Sequence, residues 1–128
     1  MQNDKQPIRS FKDLLVWQKA MDLVVSVYGL SKRYPTDEQF ALTSQTRRAV
    51  ISVPANIAEG YGRNTRKEYA NFLRISAGSL AELETLIIVA ERLSYGTAGE
   101  RSTITEQIGE IGRMLYSMRA KLRLPGGI

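Results

Sequence analysis

Residues 52–69, SVPANIAEGYGRNTRKEY, contain the side chains of this sequence with the most obvious capacity for chemistry. Glu59 places a carboxylate among apolar neighbours, and a Gly-Tyr-Gly triplet leads into a basic run. These residues suggest three alternatives: a loop that binds phosphate, a catalytic carboxylate in a cleft, or a corner between two helices. The spacing of the residues and the rest of the chain decide between them.

The GYGRNT segment does not meet the requirements of the common phosphate-binding loops. A Walker loop needs Gly-Lys followed by Ser or Thr, and a dinucleotide loop needs a preceding strand and a third glycine. Here a helical pattern comes first, and neither motif is complete. Gly60 instead predicts the C-cap of a helix, with its backbone in the left-handed conformation. Gly62 predicts a second position in the corner at which the backbone can adopt conformations that other residues avoid.

The carboxylate of Glu59 lacks the partners that catalysis would require. A di-metal site in a helical bundle uses Glu-x-x-His pairs, and a glycosidase uses two facing carboxylates. The chain has no histidine, and no second acid pairs recognisably with Glu59. An ion pair with Arg63, or with Arg47 or Arg48, is the simpler account. We therefore predict no catalytic residue, no metal site and no cofactor, and we interpret the stretch as a corner.

The composition supports this interpretation. The absence of cysteine and histidine removes disulfides, thiolate catalysis, the commonest general base and the usual zinc ligands. The longest apolar run is too short to span a bilayer and the first ten residues are polar, so we expect a soluble, cytoplasmic protein without a membrane partner. Eighteen Lys and Arg against thirteen Asp and Glu give a net charge of +5, which is compatible with a nucleic-acid partner.

Helical periodicity extends over almost the whole chain. Capping patterns start helices after Ser10, Thr36, Thr65 and Thr97, and Pro54 predicts a kink in the second helix. The predicted helices span roughly 12–33, 37–59, 65–95 and 98–123. Because short corners force consecutive helices to be antiparallel, the sequence predicts an all-α fold, an antiparallel up-down-up-down four-helix bundle forming one domain over residues 1–128.

The first predicted helix is more apolar than a monomeric bundle requires. One stripe, assigned to the core, contains Leu14, Trp17, Met21, Val24 and Tyr28. A second stripe runs beside it, and together they cover an arc of roughly 200°, whereas an outer helix needs little more than ~100°. The predicted core side of the third helix is Tyr69, Phe72, Leu80, Leu83, Leu86 and Leu93, and that of the fourth is Ile104, Ile108, Ile111, Leu115, Met118 and Leu122. The third helix also carries apolar residues outside its core positions, namely Leu73, Ile75, Ile87, Ile88 and Val89. We predict self-association, with apolar residues scattered singly over the surface as the alternative. The predicted interface consists of Val16, Ala20, Leu23, Val27, Leu30 and Ile88.

Two basic groups could contact RNA or DNA. Arg63, Arg66 and Lys67 surround the start of the third helix, where the helix dipole favours anions. The second group, near the end of the fourth helix, contains Arg113, Arg119, Lys121 and Arg123. Either group could instead be an ordinary solvated face. Because no aromatic platform is recognisable, we predict phosphate contacts without base readout. A scaffold that binds another protein is the alternative function.

Several motifs resemble the 23S rRNA intervening-sequence protein family. They are F-x-x-L-x-V-W-Q-x-A from Phe11, R-R-A-V-x-S-V-P-A-N-I-A-E-G from Arg47, K-E-Y-x-x-F-L from Lys67 and GSLAELET from Gly78. The resemblance covers about residues 11–95 and implies a four-helix bundle assembled as a ring-shaped homopentamer. The family has no established catalytic residues that could be carried over to this sequence. A similar fold occurs in the accessory protein of diversity-generating retroelements, which binds nucleic acid, but a shared fold is a weak argument for a shared function.

Overall fold

The computed structural model describes residues 7–124, which form four α-helices and no strand. The helices are α1 (Leu15–Ser31), α2 (Leu42–Tyr61), α3 (Arg66–Arg92) and α4 (Ala98–Arg123). Two 3₁₀ turns, Phe11–Asp13 and Thr36–Glu38, precede α1 and α2. The predicted ends of the domain, residues 1–6 and 125–128, lie outside the described range.

The helices form a closed four-membered arrangement. α1 packs on α2 and α4, and α3 packs on α2 and α4, whereas the diagonal pairs α1/α3 and α2/α4 bring no Cα atoms of residues 7–124 within 8 Å of each other. Consecutive helices joined by short connections are antiparallel. The predicted all-α four-helix bundle is therefore confirmed.

Three of the four predicted helix starts carry the expected caps. The Ser10 and Thr97 hydroxyls form capping boxes with Asp13 and Glu100, and the Thr65 hydroxyl accepts a hydrogen bond from the backbone NH of Glu68. The box at Ser10 caps only the 3₁₀ turn, because Leu14 is extended (ψ 124°) and separates that turn from α1. The first long helix is therefore shorter than predicted at its start.

The start of α2 and the end of α3 differ from the prediction. The Thr36 pattern gives only a 3₁₀ turn, and α2 begins at Leu42, the first buried side chain after Tyr34. α3 ends at Arg92 rather than near residue 95. Ser94 adopts φ 60°, its NH donates to the Glu91 carbonyl, and the Tyr95 NH donates to the Ala90 carbonyl. This is a Schellman motif with serine in the position that glycine usually takes.

The centre of the core is formed by the α1 stripe that was predicted to lie at an oligomer interface. Val16, Ala20, Leu23, Val27 and Leu30, which we had assigned to an oligomer interface, are at most 2% exposed and form the centre of the chain's own core. In the stripe predicted to form the core, Leu14 is buried, Trp17, Val24 and Tyr28 are half-buried, and Met21 is 39% exposed. The interface assignment of the five residues is therefore wrong, because α2 and α4 approach α1 on that side.

The core sides of α3 and α4 are closer to the prediction. In α4, Ile104, Ile108, Ile111, Leu115 and Leu122 are buried as expected, and Met118 is half-buried. In α3, Leu73 and Ile87 join the core although they lie outside the predicted stripe, and Leu93 is exposed because it follows the helix end. Ile88 remains 46% exposed, so it alone of the six predicted interface residues lies on the surface.

A buried hydrogen bond and a glycine serve the packing of α2 on α3. Helix α2 runs through Pro54 without interruption. The fully buried hydroxyl of Ser76, on α3, donates a hydrogen bond of 2.8 Å to the carbonyl oxygen of Val53, on α2. Gly60 is helical rather than left-handed, contrary to the prediction. A Cβ at this position would lie 2.7 Å from the Cβ of Phe72. Glycine is therefore required here by the close approach of two helices, not by a turn.

Candidate nucleic-acid interface

One end of the bundle is strongly basic. The antiparallel arrangement brings together the starts of α1 and α3 and the ends of α2 and α4. We define the basic end as residues 7–14, the connection 62–65 and the five residues of each helix nearest to them. It has three acids, Asp13, Glu59 and Glu68, against nine cations. The nine are Arg9, Lys12, Lys19, Arg63, Arg66, Lys67, Arg119, Lys121 and Arg123.

The opposite end, defined in the same way, is balanced. Its four cations, Lys32, Arg33, Arg92 and Arg101, are matched by Asp37, Glu38, Glu91 and Glu100. Several of these charges are also engaged locally. Arg33 lies 2.8 Å from a Glu100 carboxylate oxygen, and Arg101 donates to the backbone carbonyl of Gly96. The surplus positive charge of the chain is therefore concentrated at one end.

The structure unites the two basic groups that the sequence presents separately. Arg66, in the first turn of α3, donates to the carbonyl of Leu122 at 3.1 Å and also to the carbonyl of Leu124. The guanidinium thereby caps the end of α4, whose last carbonyls have no partner within the helix. Arg66 thus joins the two groups physically, and its main contact is structural.

Arg63 also has local partners. Its guanidinium lies 2.8 Å from a Glu59 carboxylate oxygen and 4.7 Å from the centre of the Phe72 ring. The predicted Glu59–Arg63 ion pair is therefore present. Because both groups are substantially exposed, the pair contributes little to stability.

Most of the remaining basic residues at this end are exposed to solvent. Lys67, Lys121 and Arg123 are exposed, and within residues 7–124 none of them forms an ion pair or a side-chain hydrogen bond. Arg119 is half-buried. Arg9, Lys12 and Lys19 were not singled out from the sequence, because only the antiparallel topology places the start of α1 beside the end of α4. Lys67, Lys121 and Arg123 can therefore approach phosphates without breaking an existing contact, whereas Lys19 is paired with Glu110 at 3.1 Å.

Arg113 is separated from this group. It lies ten residues before the end of α4, about 15 Å along the helix. There it lines a groove of about 980 Å³ between α1, α4 and the α2–α3 corner. The other lining residues are mainly apolar: Ile8, Leu14, Leu15, Val16, Tyr61, Tyr69, Met114 and Met118, with Glu110, Ser117 and Lys121. No sequence motif marks this groove, because four separate segments form it.

Two tyrosines form one wall of the groove. The rings of Tyr61 and Tyr69 meet edge to face, with centroids 6.1 Å apart and planes at 85°. Burial, and secondarily the neighbouring Tyr61, raises the pKa of Tyr69 from 10.0 to about 12. No sequence pattern marks this aromatic pair, because Tyr61 ends α2 and Tyr69 lies on α3.

Residues 7–124 contain no group of three or more acidic, histidine or cysteine side chains that could hold a metal ion. Over the same range, no helix is both long enough and apolar enough to cross a bilayer.

The fold and the polarised charge define a class of protein, a four-helix bundle with one basic end. The model of the family described as 23S rRNA-intervening sequence protein matches residues 12–117, and the chain belongs to this family. A solved structure of a protein with unknown function from the S23 ribosomal protein family of Bacteroides thetaiotaomicron VPI-5482 is similar. The two chains are 25% identical with a TM-score of 0.76 over 83% of this chain and 96% of that chain. No curated protein matches the sequence.

Proposed function

We propose that this protein is a non-enzymatic, homo-oligomeric accessory protein that binds the phosphate backbone of RNA or DNA through its basic end. The observation that carries the proposal is the ratio of nine cations to three acids at that end, beside the four-to-four balance at the other. Clustered Lys and Arg side chains supply the sequence-independent part of nucleic-acid affinity.

Self-association would multiply these contacts. The resemblance to the intervening-sequence proteins implies a ring of five chains, and five copies of one basic end would bind a long backbone with avidity. We place the contact between chains on the α1 outer face, defined as Trp17, Met21, Val24, Val25 and Tyr28. Val25 is 72% exposed and Met21 39% exposed, although both are apolar.

Ile51 of α2 extends this face. Arg47 lies over the Tyr28 ring at 4.6 Å and donates to the Ser31 hydroxyl, which fixes the register of the two antiparallel helices. One turn further along, the same register brings Ile51, which is 45% exposed, to the level of Val24. An exposed apolar strip that spans two helices is typical of an interaction surface.

Anisotropy titration of a labelled oligonucleotide tests the phosphate contacts. From about 50 to about 200 mM salt, six to ten contacts per assembly would lower the affinity by ~10³–10⁵. The triple variant Lys67→Gln, Lys121→Gln and Arg123→Gln should weaken binding and flatten the salt dependence. The matched variant Lys32→Gln, Arg48→Gln and Arg92→Gln removes the same charge elsewhere and should retain the steep slope. Equal losses in both variants, or no binding by an intact oligomer at the lower salt, would contradict the proposal and favour a protein scaffold.

Sedimentation velocity tests the α1 outer face. The variant Met21→Glu with Val25→Glu should dissociate the assembly into folded monomers, because each change would bury an unpaired charge between chains. Ile88→Glu introduces the same side chain at a comparably exposed position of α3 and should leave the assembly intact. Dissociation by Ile88→Glu alone would move the interface to α3, and a wild-type monomer at tens of micromolar would exclude self-association.

A further inference from the structure

The groove beside the basic end combines an apolar interior with positive charge at its border. Leu15, Met114 and Met118 supply aliphatic surface, and Tyr61 and Tyr69 supply aromatic surface. Its volume of about 980 Å³ is at the upper end of the range for ligand sites. An occupant must therefore bring a sizeable apolar or π surface.

The charges around the groove favour an anion. Glu110, the acid among the lining residues, lies 3.1 Å from the ammonium group of Lys19, which offsets its charge. Arg113 and Lys121 are the lining cations, and within residues 7–124 no acidic side chain pairs with either. The complementary occupant therefore carries negative charge next to its apolar part.

Lys121 connects the groove to the proposed phosphate path. It is one of the nine cations of the basic end and also lines the groove. A phosphate bound at Lys121 would have its attached nucleoside within reach of Met118, one turn earlier on α4. The groove thus lies beside the backbone path, where the bases of a bound strand would be.

The geometry points to unpaired nucleotides of single-stranded RNA or DNA as the occupants of this groove. Their phosphates contact Arg113 and Lys121, and their bases pack on Tyr61, Tyr69 and the two methionines. Positively charged grooves with aromatic surface bind single strands in this way without sequence preference, because every base has a π face. Bases in a duplex are paired and stacked, so they cannot enter. This inference rests on the proposed function, since it requires phosphates at the basic end.

An all-abasic oligonucleotide separates base contacts from phosphate contacts, because it keeps the full charge and lacks the bases. In anisotropy titrations, the wild-type protein should bind a mixed-sequence single strand more tightly than an abasic strand of equal length. The expected gain in affinity is about tenfold or more for each base that packs in the groove. The single strand should also bind more tightly than a duplex of equal length. Tyr61→Leu should reduce the preference for bases and leave the salt dependence unchanged. Phe40→Leu, an aromatic replacement at a side chain that is 90% exposed at the opposite end, should have no effect.

The outcomes distinguish this inference from the proposed function. Equal, salt-dependent binding of the abasic and normal strands would overturn the inference and leave backbone binding intact. No binding to any strand would overturn both. If circular dichroism shows that Tyr61→Leu is unfolded, Met118→Gln provides the second test, and an unchanged preference for bases would then overturn the inference. A fluorescent long-chain carboxylate that binds and is not displaced by the single strand would assign the groove to acyl chains and also overturn it.

Discussion

The guanidinium of Arg66 lies 3.1 Å from the carbonyl oxygen of Leu122 and thereby joins the first turn of α3 to the last turn of α4. The sequence separates these residues by 56 positions. The contact uses a cation of the α2–α3 corner to satisfy the carbonyl end of another helix. It also aligns the two basic groups on one surface.

Replacement of Arg66 by Gln should loosen the end of α4. Hydrogen bonds from charged donors are worth about 1.5–3 kcal/mol when shielded, and partial exposure here reduces the expected loss of stability to about 1 kcal/mol. Hydrogen exchange should accelerate for the amides of residues 119–123. Lys67→Gln removes a neighbouring charge without a carbonyl contact and should leave the exchange unchanged. Equal protection in both variants would contradict the capping role.

Gly60 should tolerate no larger residue. In Gly60→Ala the new Cβ would lie 2.7 Å from the Cβ of Phe72, so α2 and α3 must separate. We expect a loss of about 1–3 kcal/mol in the free energy of unfolding, measured with urea. Gly78→Ala in α3 is the control, because its Cβ meets no atom within 4 Å. That change should stabilise the protein by about 0.5–1 kcal/mol. If Gly60→Ala and Gly78→Ala stabilised the protein equally, α2 and α3 would lie farther apart at Gly60 than the structure shows.

The two sides of α1 should respond differently to truncation. Leu23 is fully buried, so Leu23→Ala should lower the free energy of unfolding by about 2–5 kcal/mol. Val25 is 72% exposed, so Val25→Ala should change the stability of the folded chain by no more than about 0.5 kcal/mol. Urea titrations at one fixed protein concentration compare the two variants. If Leu23→Ala left stability unchanged and altered only the assembly, the assignment of this stripe to the core would fail.

Tyr34 should contribute to alkaline unfolding. Burial raises its pKa from 10.0 to about 12, and the charge of Arg101 opposes this in part. Because the unfolded chain ionises first, this stability is fully present below pH 10 and is lost as the pH rises through about 12. With allowance for solvent screening, the loss should be at most about 1 kcal/mol per pH unit.

Tyr34→Phe tests this assignment. The Tyr34 hydroxyl has no hydrogen-bond partner among residues 7–124, so its removal should change stability at pH 7 by less than about 1 kcal/mol. The variant should lose less stability than the wild type between pH 10 and 12. Tyr116→Phe, at an exposed tyrosine, should match the wild type throughout. An unaltered alkaline profile in Tyr34→Phe would show that Tyr34 is accessible to solvent.

Much of the fold follows from local signals in the sequence. The capping residues Thr65 and Thr97 start α3 and α4 where predicted, because a hydroxyl that accepts from the third helical NH is a local interaction. The buried stripe from Ile104 to Leu122 was also predictable, since α4 has one apolar face. The ion pair of Glu59 with Arg63 required only the spacing of one helical turn.

Local signals in the sequence do not show which side of a helix faces the centre of the bundle. α1 has two adjacent apolar stripes, and a helical wheel gives their angular separation but not the side on which α2 and α4 lie. The packing of those helices buried Leu23 and Val27 and left Met21 and Val25 outside. The role of Gly60 is similar, because its neighbour Phe72 belongs to another helix.

The sequence by itself determined that this chain forms four helices, that it carries excess positive charge, and that it has the motifs of the intervening-sequence family. Only the tertiary structure decided that the starts of α1 and α3 and the end of α4 share one basic end. It alone formed the groove between Val16, Tyr61, Tyr69 and Met118. The physical reason is that capping and periodicity are interactions within a helix, whereas a shared charged surface and a groove exist only once separate helices are packed together.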